Sequence, residues 1–213
     1  MTTKEFVSLE KGLLPKLPGF AIKGPLMLIP PVVSLLRGIS FDGSSFDKTS
    51  FYVKLFVMPL CVPTNYIYYN FGNRVRHVGG GDRWSIGVPK LTAELGEALK
   101  LQAVPFLSRA ESLLDFVEMA KAKEFSGNRH TPNAIAFALA RAGQTGQAIS
   151  VLDELSSHLD PNVAWQREMA DRARALRAKL VADPADAQKQ LEAWEAETVL
   201  NLRLEDFRGT ATR

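Results

Sequence analysis

Apolar residues follow two different spacings along this chain, and the change from one to the other falls near residue 90. In the first part they form short, dense runs separated by proline, glycine, asparagine and serine. Such runs predict β-strands joined by tight turns. The connections are too short for crossover helices, so we expect a mostly antiparallel sheet. The predicted strands are Phe20–Lys23, Leu26–Ile29, Leu35–Phe41, Phe51–Val62, Tyr66–Phe71 and Arg83–Ile86.

A helix is predicted ahead of this sheet, from about Thr3 to Leu17. Thr2 and Glu5 have the spacing of a capping box, in which each side chain binds the backbone N–H of the other residue. In the longest predicted strand, Pro59 lacks the N–H that a ladder needs, so it predicts a bulge or the end of the strand.

After residue 90 the apolar positions take helical spacing. Three helices are signalled by an N-cap residue followed by proline at the first helical position. Consecutive helices with short loops favour antiparallel hairpins. The N-cap signals are Thr131–Pro132, Asp160–Pro161 and Asp183–Pro184, and the helices are predicted from Thr92 to about Leu101, after a Ser108–Glu111 capping box, and near 132–142, 145–157, 161–182 and 184–204.

Composition divides the chain at the same place. Only one alanine, Ala21, precedes residue 90 and twenty-three follow it, whereas all four tyrosines precede it. Alanine favours helices and aromatic residues favour strands. We therefore predict an α+β fold, with an N-terminal helix and a mostly antiparallel sheet in residues 1–90 and an all-helical region of antiparallel hairpins in residues 91–213. These regions are either two domains or one continuous domain.

Charge and cysteine content narrow the class of protein. Residues 1–90 carry eleven Lys or Arg against five Asp or Glu, and residues 91–213 carry fifteen against eighteen. This excess is too diffuse to predict a nucleic-acid partner. The single cysteine, Cys61, lies in an apolar run and is expected to be a core residue in a reducing compartment. The most apolar stretch, residues 25–36, is shorter than the roughly twenty residues of a membrane span, so we expect a cytoplasmic protein with no membrane partner.

No motif in the sequence predicts a metal, a cofactor or a catalytic residue set. The three histidines (His77, His130 and His158) have no second ligand at metal-binding spacing. Neither a G-x-S-x-G nucleophile elbow nor a G-x-x-x-x-G-K-[ST] phosphate loop occurs. Whether the chain is an enzyme stays open at this point.

The candidate binding residues lie in one segment, Arg74–Trp84. Backbone N–H groups of glycine and guanidinium groups of arginine together can hold a phosphate, a carboxylate or an acidic protein surface. The alternative interpretation is a flexible hairpin loop whose arginines are simply solvated. The candidates are Arg74, Arg76, His77, Gly79, Gly80, Gly81, Asp82 and Arg83.

One helical segment resembles a single tetratricopeptide repeat. It runs from about residue 131 to 161 and carries Ile135, Ala136, Leu139, Gly143, Ala148 and Leu152, followed by Asp160–Pro161. Ala136, Gly143 and Ala148 match the small residue, the turn glycine and the close-approach alanine of that family. Leu155 departs from the family pattern, and Arg177 stands where a second repeat would have its turn glycine. Because a solenoid normally needs at least three repeats, the resemblance implies one helical hairpin.

The first part of the chain has a resemblance of its own. The runs LLRGISF at 35–41 and FYVKLFV-x-PL at 51–60 are similar to small bacterial domains of unassigned function that pair a sheet with C-terminal helices. Some of those domains are suspected of being immunity proteins against toxins. The resemblance implies a protein partner and brings no catalytic residues with it.

The sequence alone does not determine the function, and two hypotheses remain. The first is a non-catalytic protein-binding module, adaptor or immunity-like, that uses a groove between the helical hairpins or the arginine-rich sheet edge. The second is a small-anion-binding protein or an unfamiliar enzyme centred on the Arg74–Trp84 loop. In that second case His77 would be the acid–base group and the arginines would hold the anion.

Overall fold

The computed structural model describes residues 2–209, and within them the chain has the predicted α+β class. These residues form seven α-helices and a sheet of five strands. The helices are α1 (Thr3–Leu13), α2 (Leu91–Leu107), α3 (Leu113–Ala120), α4 (Thr131–Arg141), α5 (Thr145–His158), α6 (Ala164–Ala182) and α7 (Pro184–Asn201). The strands are β1 (Ala21–Ile22), β2 (Leu26–Leu28), β3 (Leu35–Gly43), β4 (Ser50–Pro59) and β5 (Arg83–Ser85).

The described chain divides into two compact units. The first unit contains residues 2–58, 71–109 and 206–209, and so includes α1, α2 and the whole sheet apart from the last residue of β4. The second unit contains residues 59–70 and 110–205, and so includes the five helices α3 to α7.

The N-terminal helix starts where the sequence predicts. The Glu5 N–H donates to Thr2 Oγ1 at 3.4 Å and the Thr2 N–H donates to Glu5 Oε2 at 2.6 Å, which confirms the capping box. The helix buries Phe6, Glu10 and Leu13, and a 3-10 turn containing Pro15 follows it. One of these three buried residues, Glu10, carries a carboxyl group.

The sheet of the first unit is antiparallel, with the strand order β1-β2-β3-β4-β5. Its longest strand, β4, has neighbours on both sides and is buried along most of its length, as the apolar run Phe51–Val62 predicts. The strand ends at Pro59. The predicted effect of that proline, the end of the ladder, is therefore confirmed.

One edge of β4 pairs with two separate pieces of chain. The Leu55 N–H donates to the Asn73 carbonyl at 2.7 Å, and the Val75 N–H donates to the Val53 carbonyl at 2.8 Å. The strand β5 continues along the same edge, with Arg83 opposite Tyr52. Residues 76–82 thus form a loop between two pieces of chain on the same edge of β4. Val75, before the loop, pairs with Val53, and Arg83, after it, pairs with the adjacent residue Tyr52. This loop contains most of the candidate binding residues.

The second unit is built around α4, which is buried from Asn133 to Ala140 and packs against α3, α5 and α7. α4 is followed by a glycine in the left-handed backbone region. Gly143 has φ +78°, and its N–H donates to the Ala140 carbonyl at 3.0 Å. The Gln144 N–H donates to the Leu139 carbonyl at 2.9 Å. This pair of bonds is a Schellman motif, which requires a residue that tolerates positive φ.

The predicted strand Tyr66–Phe71 is wrong. The chain there forms turns and irregular structure. Tyr66 and Tyr69 are exposed, while the hydroxyl of Tyr68 is buried with no hydrogen-bond partner among residues 2–209, and this burial raises the pKa of Tyr68. Aromatic residues favour strands because of how they pack on neighbouring strands. Here the last residue of the segment contacts β4, where the Phe71 carbonyl accepts from the Val57 N–H at 2.9 Å, and turns and irregular structure precede it.

Several predicted helix boundaries are also corrected. α2 begins at Leu91 and runs through Pro105 to Leu107, instead of being capped by Thr92 and ending near Leu101. Ser108 follows that helix, and the predicted Ser108–Glu111 capping box is formed by Ser112 and Asp115 instead. Both spacings fit the motif, so the pattern alone could not choose between them.

Three helix starts were predicted from an N-cap residue followed by proline, and one of these predictions is confirmed while the other two are corrected. Asp183 caps α7 by accepting from the N–H groups of Ala185 and Asp186, so that prediction is confirmed. Thr131 lies inside α4, whose N-cap is His130. Asp160 accepts from the Asn162 N–H at 2.9 Å in a turn, and α6 begins only at Ala164. A side-chain cap thus stabilises a turn as readily as a helix.

Candidate functional site

The loop 76–82 is closed by its own backbone. The His77 N–H donates to the Gly81 carbonyl at 2.9 Å, and the Gly80 N–H donates to the His77 carbonyl at 2.8 Å. Gly80 has φ +87°, a conformation that favours glycine. One of the three glycine N–H groups that were expected to face an anion is therefore used inside the loop.

A side chain of α2 fixes the start of this loop. Gln102 accepts from the Arg76 N–H through Oε1 at 2.9 Å and donates from Nε2 to the Arg76 carbonyl at 2.6 Å. Both backbone groups of Arg76 are satisfied by one amide, in the way that a residue of a neighbouring strand would satisfy them. Gln102 thus positions Arg76 relative to α2.

The glycines around His77 leave room for its imidazole ring. A Cβ on Gly81 would lie 2.6 Å from His77 Nε2, and a Cβ on Gly79 would lie 3.2 Å from Nδ1. On its other side the ring contacts Trp84 edge-to-face, with ring centroids 5.6 Å apart. Trp84 is buried and donates from Nε1 to the Val75 carbonyl at 3.1 Å. Packing on His77 therefore explains two of the three glycines.

Arg74 has partners of its own. Its Nη1 donates to Asp82 Oδ2 at 2.8 Å, and its guanidinium carbon lies 4.4 Å from the ring centroid of Tyr52. This hydrogen bond raises the pKa of Arg74 and lowers the pKa of Asp82. The pair ties residue 74, before the loop, to residue 82 at its end. Arg74 and Asp82 thus neutralise one another.

A cavity of about 900 Å³ lies between this loop, β5 and α2. Ligand sites in proteins have volumes of roughly 300–1,000 Å³. One face of α2 supplies its longest wall, because Leu91, Glu94, Ala98 and Leu101 recur at helical spacing and all line it. Trp84 lines it from β5.

The mouth of the cavity exposes large apolar side chains to solvent. Leu101 is 75% exposed, and Val78 and Val88 are exposed as well. All three line the cavity. Exposed apolar groups that gather around one concavity are typical of binding sites, since scattered ones are common but clustered ones are not.

Some charged side chains that line the cavity form ion pairs, and others form none within residues 2–209. Of its two carboxylates, Glu97 lies 3.1 Å from Lys100 Nζ and 3.8 Å from Lys16 Nζ. In contrast, no side-chain hydrogen bond or ion pair within residues 2–209 engages the cationic groups of Arg76, Arg83 or Lys90, which also line the cavity. Three basic residues therefore line the cavity together with Glu94 and the apolar side chains.

The structure divides the predicted site residues into two groups. Arg76, His77, Gly79, Gly80 and Arg83 line the cavity. The remaining three, Arg74, Gly81 and Asp82, do not line it. The acid–base constellation of His77, Asp82 and an arginine is consequently not gathered in this cavity.

Sequence reasoning missed the wall that α2 contributes. Gln102, Lys90 and Leu101 are all important to the cavity and lie outside the segment Arg74–Trp84. One signal was present in the sequence: Leu91, Ala98 and Leu101 form a second apolar stripe on α2 beside its core stripe of Leu95 and Leu99. A helix with two apolar faces is expected to contact something besides its own core.

Three further features bear on function: the single cysteine, the side chains that could bind a metal ion, and the length and apolarity of the helices. Cys61 is buried in the second unit, and burial raises the pKa of its thiol, as expected of an unreactive core cysteine. No group of three or more His, Cys, Asp or Glu side chains in the described part of the chain is placed to hold a metal ion. None of the helices between residues 2 and 209 combines the length and apolarity that crossing a bilayer requires.

Comparisons with protein-family models, with curated proteins and with solved structures each return no match to this chain. No family is therefore assigned, and the resemblances noted from the sequence stay predictions.

Proposed function

We infer that this chain is a non-catalytic binding protein, and that its ligand is an anion with an apolar body, held in the cavity between the loop 76–82, β5 and α2. The observation that carries this proposal is the set of three cations without side-chain partners among residues 2–209, Arg76, Arg83 and Lys90, beside an apolar wall. The proposal joins the two sequence hypotheses, since such a ligand is either a small molecule or part of a protein.

Charge supports an anionic ligand. Cationic groups that are already paired, such as Arg74 with Asp82, have little left to offer a ligand. Arg76 and Arg83 keep their full donor capacity, and guanidinium groups bind carboxylates and phosphates with charge-assisted hydrogen bonds. The wall formed by Leu101, Ala98 and Trp84 provides the apolar contact.

The placement of Asp82 supports binding rather than catalysis. A histidine that acts as a general base is usually oriented by a carboxylate or another acceptor. The nearest candidate in sequence, Asp82, is engaged by Arg74, and the ring of His77 packs on Trp84 and the glycines. These contacts make His77 a packing residue of the loop.

The test uses octanoate and octanol, which share an apolar chain and differ in charge. Titration calorimetry on the full chain is expected to show saturable binding of octanoate and much weaker binding of octanol. The double variant Arg76→Ala/Arg83→Ala should lose octanoate binding, whereas Arg129→Ala, an exposed arginine of the second unit, should retain it.

The apolar wall has its own pair of variants. Leu101→Ser should weaken octanoate binding, and Leu114→Ser, at an exposed leucine of α3, should not. If octanoate does not bind, if octanol binds equally well, or if the arginine double variant binds like the wild type, the proposal is refuted.

A protein partner on the helical region is a second candidate, supported by one exposed aromatic pair. The rings of His130 and Trp165 stack with centroids 4.9 Å apart, and Trp165 is 41% exposed. Tryptophan is enriched at the centres of protein interfaces. A protein retained from host lysate by the wild type and lost with Trp165→Ala would support this candidate, and retention that does not change would contradict it. A cytoplasmic location and the lack of a nucleic-acid partner stay predictions.

A further inference from the structure

The outer edge of β5 has backbone groups that point away from the sheet. The Ile86 N–H donates to the Thr49 carbonyl at 3.0 Å, so residue 86 faces β4. The Ser50 carbonyl accepts from the Ser44 N–H at 2.9 Å and thus points to the opposite side of β4. Because backbone groups alternate in direction along a strand, the N–H and carbonyl groups of Arg83 and Ser85 point away from β4. The Ser85 carbonyl accepts from the Val88 N–H at 3.4 Å, so an added strand would use the two Arg83 groups and the Ser85 N–H. β5 is also the last strand of the sheet.

The amide of Gln102 already uses this edge in the way a strand would. It binds both the N–H and the carbonyl of Arg76, at 2.9 and 2.6 Å. Arg76 follows Val75, whose N–H points to β4, so its own backbone groups point outward by the same alternation. At residue 76 the outward backbone groups are thus occupied by a side chain of α2, which supplies the hydrogen bonds that a further strand would supply.

The two faces of β5 carry side chains of different chemistry, so an added strand would need a different kind of residue on each face. Trp84 pairs with Phe51 across the sheet and points to the buried face, where it lines the cavity with Leu101 and Ala98. Arg83 lies next to Trp84 and so points to the opposite face, where it is exposed. A strand beside β5 would place alternate side chains against the apolar wall and the others beside Arg83.

We propose that the ligand of this cavity is an extended peptide segment of a partner protein, with alternating apolar and acidic residues, which adds as a further strand to the outer edge of β5. The proposal rests on the proposed function and names the class of its ligand. Main-chain hydrogen bonds to both backbone groups of Arg83 and to the Ser85 N–H give affinity, and the alternation of side chains gives specificity. Arg76, Arg83 and Lys90, for which residues 2–209 provide no ion pair, select acidic residues over basic ones.

The first experiment compares four blocked hexapeptides by titration calorimetry with the full chain. Acetyl-Leu-Glu-Leu-Glu-Leu-Glu-amide is expected to bind. A peptide with lysine at each glutamate position, and one with the same composition in two blocks, three leucines followed by three glutamates, should bind at least about tenfold more weakly, which corresponds to about 1.4 kcal/mol. A fourth peptide with serine at each leucine position tests the apolar contacts and should also bind more weakly.

Methylation of peptide nitrogens separates strand addition from simple burial of an amphiphile. Two forms of the alternating peptide carry N-methyl groups on its odd or on its even amides. An added strand turns only one of these sets toward β5. One methylated form should therefore lose binding and the other should retain it. Equal binding of both forms, or equal loss, would overturn the proposal.

A variant of β5 gives the complementary test. Ser85→Pro removes the outward N–H at position 85, and proline is tolerated where the N–H of an edge strand faces away from the sheet. Peptide binding should fall at least about tenfold relative to Ser85→Ala. A cooperative thermal unfolding transition, measured by circular dichroism, reports that both variants are folded.

The outcomes distinguish the two proposals. If octanoate binds as expected and none of the peptides does, the cavity is a small-molecule site and strand addition is refuted. If neither binds, the proposed function fails and the further inference fails with it. Binding of the lysine peptide as tightly as the glutamate peptide would refute the role assigned to the cations.

Discussion

The basic side chains that join the helices of the second unit differ from those that line the cavity of the first unit. In the second unit, Arg141 binds Glu195 at 2.9 Å, Lys179 binds Asp186 at 2.9 Å, and Arg177 binds Asp153. In the first unit, Arg76 and Arg83 line a cavity, and the described residues offer their guanidinium groups no ion pair. The difference separates charges that hold helices together from charges that are available to a ligand.

The number of basic residues in a region does not by itself identify a ligand-binding surface. The helical region is rich in arginine and lysine, and several of these residues, such as Arg174, Arg177 and Lys179, pair with acidic residues of the same or a neighbouring helix. A charge run of this kind is usually a solvated, internally paired surface. The functional signal is a small number of unpaired cations next to exposed apolar side chains.

The largest expected effect is on the paired side of the comparison. Arg141→Ala leaves the side chain of Glu195, which is 3% exposed, without its guanidinium. Removing one partner of a buried ion pair usually costs about 3–5 kcal/mol, because the remaining charge is desolvated. We expect a loss of about 3 kcal/mol in the free energy of unfolding, measured by urea denaturation. Arg177→Ala, which removes an exposed pair, is the control and should have a much smaller effect.

The next effect concerns a buried acid of the first unit. Glu10 is fully buried, and neither carboxylate oxygen has a hydrogen-bond partner among residues 2–209. Burial raises the pKa of Glu10 from 4.5 to about 7. The folded state therefore holds the proton more tightly than the unfolded state, so the free energy of unfolding should fall as pH rises from 4.5 to 7.

The glutamine variant isolates this titration. At about 1.4 kcal/mol per pKa unit, the loss by pH 8 is about 3 kcal/mol. Glu10→Gln keeps the size and cannot ionise, so it should resemble the wild type near pH 4 and be more stable than the wild type at pH 8. A constant difference between the two proteins from pH 4 to pH 8, in urea denaturation, would show that Glu10 does not titrate in this range.

Signals that act through neighbouring backbone groups were confirmed at some positions and were a few residues off at others, as with the Ser108–Glu111 box, which Ser112 and Asp115 form instead. The Thr2–Glu5 box, the cap at Asp183 and the strand end at Pro59 were confirmed, because each acts through the backbone of its own neighbours. The strand at Tyr66–Phe71 was wrong because strand formation depends on neighbouring strands that are distant in sequence. The all-helical character of residues 110–205 followed from composition and periodicity.

The site shows the same limit. The segment Arg74–Trp84 was identified because glycine and arginine are concentrated in it. The role of Gln102 could not be predicted, since it is 26 residues from Arg76 and a glutamine on a helix has no pattern of its own. Similarly, the sequence does not show that Arg74 is paired and Arg76 is not. Those assignments depend on which way each side chain points at the end of an edge strand.

A smaller effect tests a backbone position of the second unit. Gly143 has φ +78° and open space where a Cβ would be, so Gly143→Ala adds only backbone strain. A non-glycine residue in this conformation costs roughly 1–2 kcal/mol. Gly146, in α5, has equally open space and no positive φ. Gly146→Ala should stabilise the protein by about 0.5–1 kcal/mol, so thermal melting should show shifts of opposite sign.

The smallest expected effect on stability is on the unpaired side. Because no side-chain hydrogen bond or ion pair in residues 2–209 engages Arg76 or Arg83, Arg76→Ala/Arg83→Ala should change the free energy of unfolding by no more than about 0.5 kcal/mol. The same double variant should lose octanoate binding. Stability that stays constant while binding is lost is the signature of residues kept for a ligand, and it is the reverse of what Arg141→Ala should show. A large loss of stability in the double variant would instead mean that these arginines support the fold, and the contrast between the two units would not hold.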